Sequence, residues 1–452
     1  MFKENNADTR TASIRNATSI VSHSLMSKYV NNATGIPATQ VGTLPAPLYW
    51  WEAGAVWGGM IDYWAYTNDS SNNAAITQAL LAQVGDDNNY MPKAYYSSLG
   101  NDDQAFWALA VLTALEYGYP EAPEGSPTWL ELAENVFNTM VPRWGLGSCG
   151  GGLKWQIFPF NAGYDYKNSV SNGGFFQISA RLARYTGNST YVEWANKIWD
   201  WTTTVGLISP DYMVYDGTDD TKNCTELDHM QWSYEPALFI YGTAMMYNYT
   251  NGTDKQMWAN RTTGLLEAAS GVFFNPFPNA TNIMFEVACE PIGTCNNDQY
   301  SFKAYLSRFL GKTSIVAPFI ANKIQPLLTA SAKGAAQACT GGSSGNECGQ
   351  KWYTGSFDGS VGVGQDLSAL EVLQSLLVSN APSLLTSANV TIQPAKVVTS
   401  SASPVPTASS TRASAAPASA SPSRNAEAMS TNAATAAVAA VLAGFAALAA
   451  NS

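Results

Sequence analysis

The sequence predicts an all-α protein built as an (α/α)6 toroid, in which six helical hairpins form an inner and an outer ring. Three observations lead to this prediction. Apolar residues recur at the helical period in twelve segments, and no run of alternating strands interrupts them. Segments that are apolar nearly all round, such as 47–66 and 102–117, occur among segments that carry a polar face, such as 72–84 and 128–141. The first kind should be buried inside the second.

The twelve predicted helices make six hairpins. Their ranges are 13–30, 47–66, 72–84, 102–117, 128–141, 170–187, 190–205, 228–249, 254–270, 297–312, 315–333 and 364–379. Each predicted inner helix begins with polar or aromatic groups. These starts are Trp50-Trp51-Glu52, Asn101-Asp102-Asp103, Asn168 to Asn172, Asp228, Asn296 to Asp298, and Gln365-Asp366. We therefore expect six helix N-termini to line one pocket.

The composition is that of a globular, aromatic-rich protein. Of the 452 residues, 46% are hydrophobic and 12% aromatic, whereas only 13% are charged. The formal net charge of −11 has the wrong sign for a surface that covers phosphates, so nucleic acid is excluded as a partner. His23 and His229 are the only histidines. Two histidines are too few for a metal site built from imidazole ligands, and they argue against most nucleophiles that need a histidine base. We expect carboxylate chemistry, with no metal and no cofactor.

The cysteines and the glycosylation motifs are typical of a secreted glycoprotein. The six cysteines include no C-x-x-C pair, so disulfides are favoured over zinc. Pairing of sequence neighbours predicts the bridges Cys289–Cys295 and Cys339–Cys348 and leaves Cys149–Cys224, although other connectivities stay open. Ten N-x-S/T sequons support the same interpretation. They begin at Asn16, Asn32, Asn68, Asn188, Asn223, Asn248, Asn251, Asn260, Asn279 and Asn389.

The C-terminal region is predicted to be a stalk followed by an anchoring signal. Between Thr399 and Ser423 nearly every residue is Ser, Thr, Ala or Pro, a composition that cannot bury a core and is typical of an O-glycosylated stalk. Residues 433–450 form an Ala-rich apolar run. Together with a small-residue site at Asn425 and a polar spacer, this run matches a glycosylphosphatidylinositol (GPI) attachment signal better than a weak transmembrane helix.

These observations divide the chain into three parts. Residues 10–392 form the toroid, residues 393–430 form the disordered stalk and the spacer, and residues 431–452 form a tail that is removed on maturation. The opening MFKENNADTR contains no apolar segment that would direct export. We expect the export signal to have been removed or to be missing from this sequence.

The helix start that most clearly indicates a catalytic site is Gly100-Asn101-Asp102-Asp103-Gln104, which precedes a long apolar stretch. Adjacent carboxylates repel each other, so their presence here indicates a use for each. At the N-cap boundary both side chains can face one cleft, where the helix dipole favours the ionised form of one and the like charge raises the pKa of the other. One would act as a nucleophile and one as a proton donor, as in retaining glycosidases. The alternative is a plain helix cap.

Aromatic residues near the same helix ends favour a sugar substrate, because the apolar C–H faces of sugars stack on such rings. These residues are Trp50, Trp51, Trp57, Trp64, Tyr95, Tyr96, Trp144, Trp155, Tyr164 and Tyr166. Packing in the core is the alternative for most of them, and it is the preferred interpretation for Trp57 and Trp64, which have helical spacing.

Several of these motifs resemble the fungal branch of glycoside hydrolase family 76. The matching segments are LYWWEAG at 48–54, GNDDQAFW at 100–107, CGGGLKWQ at 149–156, YKNSVSNG at 166–173, LARYTGN at 182–188 and SFKAYLSR at 301–308. The resemblance runs from about Ser13 to Val378, which makes it more specific than any single motif. It implies an (α/α)6 fold and a retaining mechanism with two adjacent aspartates.

The resemblance also implies roles for individual residues. It makes Asp102 the nucleophile and Asp103 the general acid/base. Three asparagines match polar positions that could bind sugar hydroxyls, and three aromatic residues match candidate stacking surfaces; capping or packing is the alternative for each. They are Asn101, Asn168 and Asn172, and Trp51, Trp155 and Tyr166. One departure affects subsite preference, since Glu235 and Ala237 stand where the family usually has Asn and Gly.

The function implied by the resemblance is that of a mannan endo-1,6-α-mannosidase that acts as a transglycosidase. The donor would be mannan or the glycan of a GPI anchor, the acceptor could be β-glucan, and the product would be a mannoprotein linked to the wall. The protein would be held on the outer face of the plasma membrane by its own GPI anchor or lie in the cell wall. The alternatives are a catalytically idle glycan-binding protein and a purely structural wall mannoprotein.

Overall fold

Twelve α-helices form the body of the protein, as the sequence predicts. They are seen in a computed structural model, which describes residues 2–145 and 147–389. The helices are α1 (Phe2–Ser27), α2 (Trp50–Thr67), α3 (Asn73–Ala82), α4 (Asn101–Tyr117), α5 (Trp129–Met140), α6 (Ser169–Thr186), α7 (Ser189–Thr204), α8 (Tyr234–Tyr249), α9 (Gly252–Phe273), α10 (Asn297–Val316), α11 (Ala321–Ala338) and α12 (Val363–Ser375). The predicted stalk, the attachment site at Asn425 and the apolar tail lie outside the described residues.

The even-numbered helices α2, α4, α6, α8, α10 and α12 form a closed inner ring. Each of them packs against the next, and α12 packs against α2 to close the ring. The odd-numbered helices lie outside, where α3, α5, α7 and α9 each pack against the inner helix that precedes them in the chain. Burial follows the same division, since α6 is buried on nearly all sides whereas α5 buries about half of its residues. The predicted (α/α)6 architecture is confirmed.

A small antiparallel sheet adds to the helices at one end of the ring. It contains β1 (Tyr166–Asn168), β2 (Gly217–Asp219) and β3 (Leu227–Asp228) in that order. Asn168 pairs with Gly217, and Gly217 pairs with Asp228. Glycine is required at 217 because a Cβ there would approach the Tyr166 ring to 2.5 Å. The prediction that a helix begins at Asp228 is wrong, because this residue belongs to β3 and the helix begins only at Tyr234.

The three predicted disulfides are confirmed. Cys289–Cys295 and Cys339–Cys348 close short loops, whereas Cys149–Cys224 joins segments 75 residues apart. The long bridge connects the glycine-rich segment after α5 to the turn between β2 and β3. It therefore ties together two of the irregular segments that surround the sheet.

The surface carries the glycosylation motifs. The asparagine of every one of the ten sequons is exposed to solvent. Within residues 2–145 and 147–389, no helix combines the length and the apolar character needed to cross a membrane.

Charged side chains are buried where the inner helices pack together. Three carboxylates and three cations contribute, and nearly all of them are withdrawn from solvent. They are Asp62, Glu116, Glu371, Arg181, Arg308 and Lys312. Ion pairs join α4 to α6, α10 to α12, and α10 to α2. The ring is therefore held by specific charge pairs as well as by apolar packing.

The pair between Arg181 and Glu116 is fully buried. Arg181 Nε and Nη2 donate to the two oxygens of Glu116 at 2.9 and 2.8 Å, and Arg181 also donates to the Leu109 carbonyl and the Thr113 hydroxyl. Both side chains have no solvent exposure. Removing one partner of such a pair strongly destabilises the protein, because the other charge then remains buried without a counterion.

We expect Glu116→Gln to lower the free energy of unfolding by roughly 3–5 kcal/mol, because the Arg181 guanidinium would stay buried without its counterion. Urea unfolding followed by tryptophan fluorescence measures the change. Glu267→Gln is the matched control, since Glu267 pairs with Lys323 on the surface and exposed pairs contribute less than about 1 kcal/mol. Equal stabilities for the two variants would contradict the assignment.

Candidate active site

The cleft lies at the end of the toroid where the inner helices begin. Its first part, the narrow lobe, is a cavity of about 230 Å³. The narrow lobe is lined by Trp51, Asp102, Asp103, Phe106, Trp155, Tyr166, Asn168, Asp216, Trp232, Tyr234, Asp298, Gln299 and Phe302. These residues come from the N-terminal ends of five inner helices, from β1 and from irregular segments that carry Trp155, Asp216 and Trp232. The prediction that inner-helix N-termini line one pocket is correct for these five.

A second cavity, the wide lobe, joins the narrow lobe and has a volume of about 540 Å³. The two lobes share the side chains of Trp51, Asp103, Trp155 and Asp298. The wide lobe is completed by Leu48, Tyr49, Trp50, Tyr95, Ser97, Ser98, Leu99, Gln156, Asn161 and Ala162. Asp102 lines the narrow lobe alone, whereas Asp103 lies where the lobes meet.

The two aspartates occupy the first turn of α4. In this helix Asp102 and Asp103 are half-buried, and every other residue is buried. The N-cap is Gly100, so the expectation that an aspartate sits at the N-cap boundary is wrong. Instead, Asp103 Oδ2 accepts the Gly100 N–H at 2.6 Å, and Asp102 Oδ1 accepts the Asp103 N–H at 2.9 Å. A Cβ at Gly100 would approach Asp102 Oδ1 to 2.1 Å, so the absence of a side chain there leaves room for the pair.

The cleft raises the pKa of both carboxyl groups. Burial raises the pKa of Asp103 to about 7, and the nearby charge of Asp298 acts in the same direction. Burial also raises the pKa of Asp102, and the charge of Asp103 raises it further, whereas backbone N–H groups and the Asn168 side chain favour its ionised form. Burial and the repulsion between two neighbouring carboxylates both disfavour the doubly ionised pair, so the pair keeps a proton to a higher pH than surface carboxyl groups do.

Two further carboxylates line the narrow lobe. Asp298 Oδ1 accepts the Trp51 indole N–H at 3.1 Å. Asp216 accepts the Tyr166 hydroxyl, and it is also hydrogen-bonded to Glu235, which lies fully buried behind it. Burial raises the pKa of Glu235, and the nearby charge of Asp216 acts in the same direction. The wall of the cleft is therefore acidic, and four aspartates reach it.

Four of the six predicted binding residues lie on the wall of the narrow lobe. They are Trp51, Trp155, Tyr166 and Asn168. Trp155 is 37% exposed, and its ring rests on Gly163, where a Cβ would approach it to 2.3 Å. Asn168 also caps α6 by accepting the Ser171 N–H. This residue therefore has the capping role that was the alternative to sugar binding, and it lies on the wall as well.

The structure does not bring the other two predicted binding residues to the wall. Asn101 is 1% exposed, and its side chain donates to the Lys154 carbonyl at 2.8 Å. Asn172 is fully buried and makes two hydrogen bonds with the backbone of Leu153. Both amides fix the segment that carries Trp155, so they shape the cleft from behind. A sugar-binding role would require these amides to be accessible, and they are not.

The comparisons with known proteins agree with this geometry. Residues 13–388 match the model of glycosyl hydrolase family 76. This chain belongs to that family. It is 47% identical over 379 residues to the mannan endo-1,6-alpha-mannosidase DCW1 of Saccharomyces cerevisiae, which covers 83% of this chain and 82% of that protein. It is also 41% identical over 376 residues to DFG5 of the same yeast, another mannan endo-1,6-alpha-mannosidase, with 83% and 80% covered.

Solved structures of family 76 share the fold. Dfg5 from Chaetomium thermophilum, crystallised in complex with glucosamine, is 39% identical and superposes with a TM-score of 0.78 over 83% of this chain and 93% of that chain. An inactive variant of the alpha-1,6-mannanase GH76A of Salegentibacter sp., with two consecutive aspartates replaced by asparagine and α-1,6-mannotriose bound, is 16% identical. Its TM-score is 0.62 over 81% of this chain and 99% of that chain.

Sequence reasoning missed several residues on the wall of this family 76 cleft. Asp216, Trp232, Tyr234, Gln299 and Phe302 were not predicted, and Asp298 was predicted only as part of a helix start. The rings of Tyr234 and Phe302 stack with centroids 3.8 Å apart. Tyr234 and Phe302 lie within the first two turns of predicted inner helices, which is a signal that could have identified them. Asp216 lies in an irregular segment, and only the sheet brings it to the cleft.

A buried glutamate supports the α8 side of the cleft. Glu286 accepts the backbone N–H and the hydroxyl of Ser233, the residue between the wall residues Trp232 and Tyr234. Burial raises the pKa of Glu286 to about 8, and the charge of Glu290 adds to this, whereas Lys303 acts against it. Among residues 2–145 and 147–389, no group of three or more His, Cys, Asp or Glu side chains is arranged to hold a metal ion.

We expect the stability of the protein to fall as the pH rises from about 5 to 8. The pKa of Glu286 is about 8 in the folded state, against 4.5 as the ordinary value, so in this range the folded chain holds a proton that the unfolded chain has lost. One such group lowers the free energy of unfolding by about 1.4 kcal/mol per pH unit. Urea unfolding at several pH values measures this slope.

Glu286→Gln should make that slope shallower and should stabilise the protein at pH 8, because the amide cannot ionise but can still accept the Ser233 N–H. Glu267→Gln, at an exposed position, is the control and should leave the slope unchanged. A slope that does not respond to the Glu286 change would show that this carboxyl is already ionised in the folded state.

Proposed function

We propose that this protein cleaves α-1,6-linked mannose with retention of configuration and acts as a hydrolase or transglycosidase in the fungal cell wall. The observation that carries the proposal is the pair of adjacent carboxyl groups in the cleft, whose pKa values are both raised by burial. The relatives named mannan endo-1,6-alpha-mannosidase support the substrate. The bacterial alpha-1,6-mannanase that is inactive with two consecutive aspartates replaced supports the use of such a pair.

In the first step Asp102 attacks the anomeric carbon of the mannose in the narrow lobe. Its oxygen forms an ester bond to that carbon, while the bond to the leaving oxygen breaks and that oxygen takes the proton of Asp103. Asp102 suits the nucleophile because it lies in the narrow lobe alone, where the Asn168 amide and the Asp103 N–H donate to it. Asp103 suits the acid because it lies where the two lobes meet and because burial raises its pKa to about 7.

In the second step a hydroxyl group releases the sugar from Asp102. The hydroxyl oxygen bonds to the anomeric carbon, the ester bond breaks, and the hydroxyl proton passes to Asp103, which returns to its starting state. Water as the acceptor gives hydrolysis, and a sugar hydroxyl gives transfer. Aromatic rings line the cavity beside the pair, and a sugar bound against them would displace water from the cleft and favour transfer.

The finer proposal concerns donor, acceptor and location. The donor is mannan or the glycan of a GPI anchor, and the acceptor is β-glucan, so that a mannoprotein becomes linked to the wall. Glucosamine bound to Dfg5 of Chaetomium thermophilum is compatible with a GPI glycan, which contains this sugar. A catalytically idle glycan-binding protein is the alternative, and an active Asp102–Asp103 pair would exclude it.

We expect Asp102→Asn and Asp103→Asn to abolish turnover of α-1,6-mannotetraose in different ways. Asp102→Asn removes the nucleophile and should lower kcat/KM by more than about 10³-fold. Asp103→Asn removes the proton donor, so a dinitrophenyl α-mannoside, which needs no proton, should still form a glycosyl adduct on Asp102. Mass spectrometry of the intact protein detects the adduct, and product masses with added laminaripentaose separate hydrolysis from transfer.

Both amide variants should remain folded, because an amide oxygen can still accept the Asp103 N–H or the Gly100 N–H. The matched control is Asp254→Asn in the first turn of the outer helix α9, which should keep wild-type activity. Near-wild-type turnover in the two cleft variants would end the glycosidase proposal, and an adduct on another residue would overturn the roles.

Anchoring by the C-terminal tail is proposed from the sequence alone. Deleting residues 433–452 should release the protein from the membrane and wall fractions, because the attachment machinery recognises the tail. Fractionation and immunoblotting measure the release. Retention of the truncated protein in the membrane fraction would count against a GPI anchor.

A further inference from the structure

One of the ten sequons lies in a short hairpin loop that follows α9. At the base of this loop Phe274 and Met284 form an antiparallel bridge. Nearer the tip, the Asn282 N–H donates to Asn275 Oδ1 at 2.6 Å. The sequon occupies residues 279–281, so it lies in a loop whose shape is fixed by hydrogen bonds.

The tip of the loop is a tight turn that places an aromatic ring next to the sequon. The Ala280 N–H donates to the Phe277 carbonyl at 2.9 Å, so Phe277, Pro278 and Asn279 take the first three positions of the turn. Proline suits the second position because its φ is already that of the turn. Phe277 is 46% exposed, and its ring contacts Tyr353 with centroids 5.2 Å apart. Two exposed side chains, the ring and the asparagine, therefore lie two residues apart in one turn.

The amide of Asn279 is available for modification. Its side chain is exposed, and among the residues that the structure describes it has no hydrogen-bond partner. The amide of Asn248, in another sequon, is engaged on both sides, because it donates to the Val316 carbonyl at 3.0 Å and accepts the Arg184 Nε–H at 2.9 Å. A sugar on Asn248 would have to share an amide that holds α8 to its neighbours, whereas a sugar on Asn279 displaces no hydrogen bond of the described chain.

The exposed ring distinguishes this sequon from the others. Three other sequons also have an aromatic residue two positions before the asparagine. They are Tyr66-Thr67-Asn68, Tyr249-Thr250-Asn251 and Trp258-Ala259-Asn260. Tyr66 and Trp258 are buried, and Tyr249 is the half-buried last residue of α8. Phe277 combines this position in the sequence with an exposed ring and a turn.

The chemistry of the sugar matches the ring. A single exposed aromatic residue is common on protein surfaces and needs no ligand. Here, however, the ring lies beside an asparagine that can carry a glycan, and the first sugar of an N-linked glycan is N-acetylglucosamine. All ring substituents of this sugar are equatorial, so axial C–H groups cover both of its faces and can contact the negative face of an aromatic ring. We propose that Asn279 is N-glycosylated and that its first N-acetylglucosamine stacks on Phe277.

The modification is a transfer of an oligosaccharide from a lipid diphosphate in the secretory pathway. The bond between Asn279 Nδ2 and C1 of the sugar forms, and the bond between C1 and the phosphate oxygen breaks. The lipid diphosphate leaves with the electron pair of that bond, and the amide loses one proton. Folding of the turn then brings Phe277 beside the attached sugar.

The position of the glycan matters for the cleft, because the loop leads into a segment that supports it. At the base of the loop the Met284 N–H donates to Ser331 Oγ at 2.9 Å. Two residues further on, Glu286 accepts the Ser233 N–H. A glycan held at the tip stabilises a loop on the α8 side of the cleft, and it does so from outside both lobes.

The first test measures occupancy in protein produced through the secretory pathway of a yeast. After treatment with endoglycosidase H, the peptide that contains Asn279 should carry a single N-acetylglucosamine, which peptide mass spectrometry detects. Asn279→Gln and Thr281→Ala should each remove the sugar, because each destroys the sequon. Asn260→Gln is the matched control and should leave it in place. An unmodified Asn279 in the exported protein would overturn the proposal.

The second test measures the contact between sugar and ring. In protein that carries the sugar, Phe277→Ala should raise the equilibrium constant of unfolding about three- to tenfold more than in the Asn279→Gln and Thr281→Ala backgrounds, because stacking needs both partners. Urea unfolding followed by tryptophan fluorescence gives the constants. Phe277→Trp should preserve the stabilisation by the sugar.

The control for the second test is the Asn260→Gln background. The full effect of Phe277→Ala should persist there, since Trp258, the aromatic residue that precedes this sequon, is buried and offers no ring to a sugar. If Phe277→Ala had the same effect with and without the sugar on Asn279, the ring would serve only to pack on Tyr353, and the stacking proposal would be overturned.

Discussion

The inner helices begin at the same end of the toroid, and the positive ends of their dipoles therefore lie close together. Each of them directs unpaired N–H groups and the positive end of its dipole toward the mouth of the toroid. Five of the six inner helices carry carboxyl groups in their first turns, and the sixth is capped by Asn168. These acidic residues are Glu52, Asp102, Asp103, Glu235, Asp298 and Asp366. Helix dipoles thus gather many carboxyl groups in a small volume.

Burial acts against the same carboxyl groups. It raises the pKa of Glu52 to about 8 and of Asp103 to about 7, so several of these acids keep their protons in conditions where a surface carboxyl is ionised. The opposition of dipole and burial is what makes an acid/base possible here, since neither effect alone would place a carboxyl near neutrality. Deeper in the ring no helix N-terminus is needed to offset the burial of a carboxylate, because Glu116 and Asp62 are each paired with a buried cation.

How much of this could be predicted from the sequence depends on the range of the interactions. The twelve helices, the three disulfides and the aspartate pair follow from local patterns, because periodicity, neighbouring cysteines and adjacent acids can be recognised without knowing the fold. Asn101 and Asn172 were misassigned because the same amide can bind a sugar or a backbone, and only the path of residues 153–155 decides between them. Asp216 was missed because no local pattern marks it, and its position depends on the pairing of β1 with β2.

The bridge between Cys149 and Cys224 has a consequence for the order of events during maturation. Cys224 is the middle residue of the sequon that starts at Asn223, and both residues have left-handed backbone angles in the closed turn, with φ of 52° and 57°. Asn223 Oδ1 accepts the Cys149 N–H at 2.8 Å, which leaves its amide nitrogen free to carry a sugar. An oligosaccharyltransferase must bind this tripeptide in an open form, which the closed turn does not allow. If Asn223 is glycosylated, glycan addition at Asn223 and oxidation of Cys224 compete in time, and the faster of the two reactions decides whether Asn223 carries a sugar.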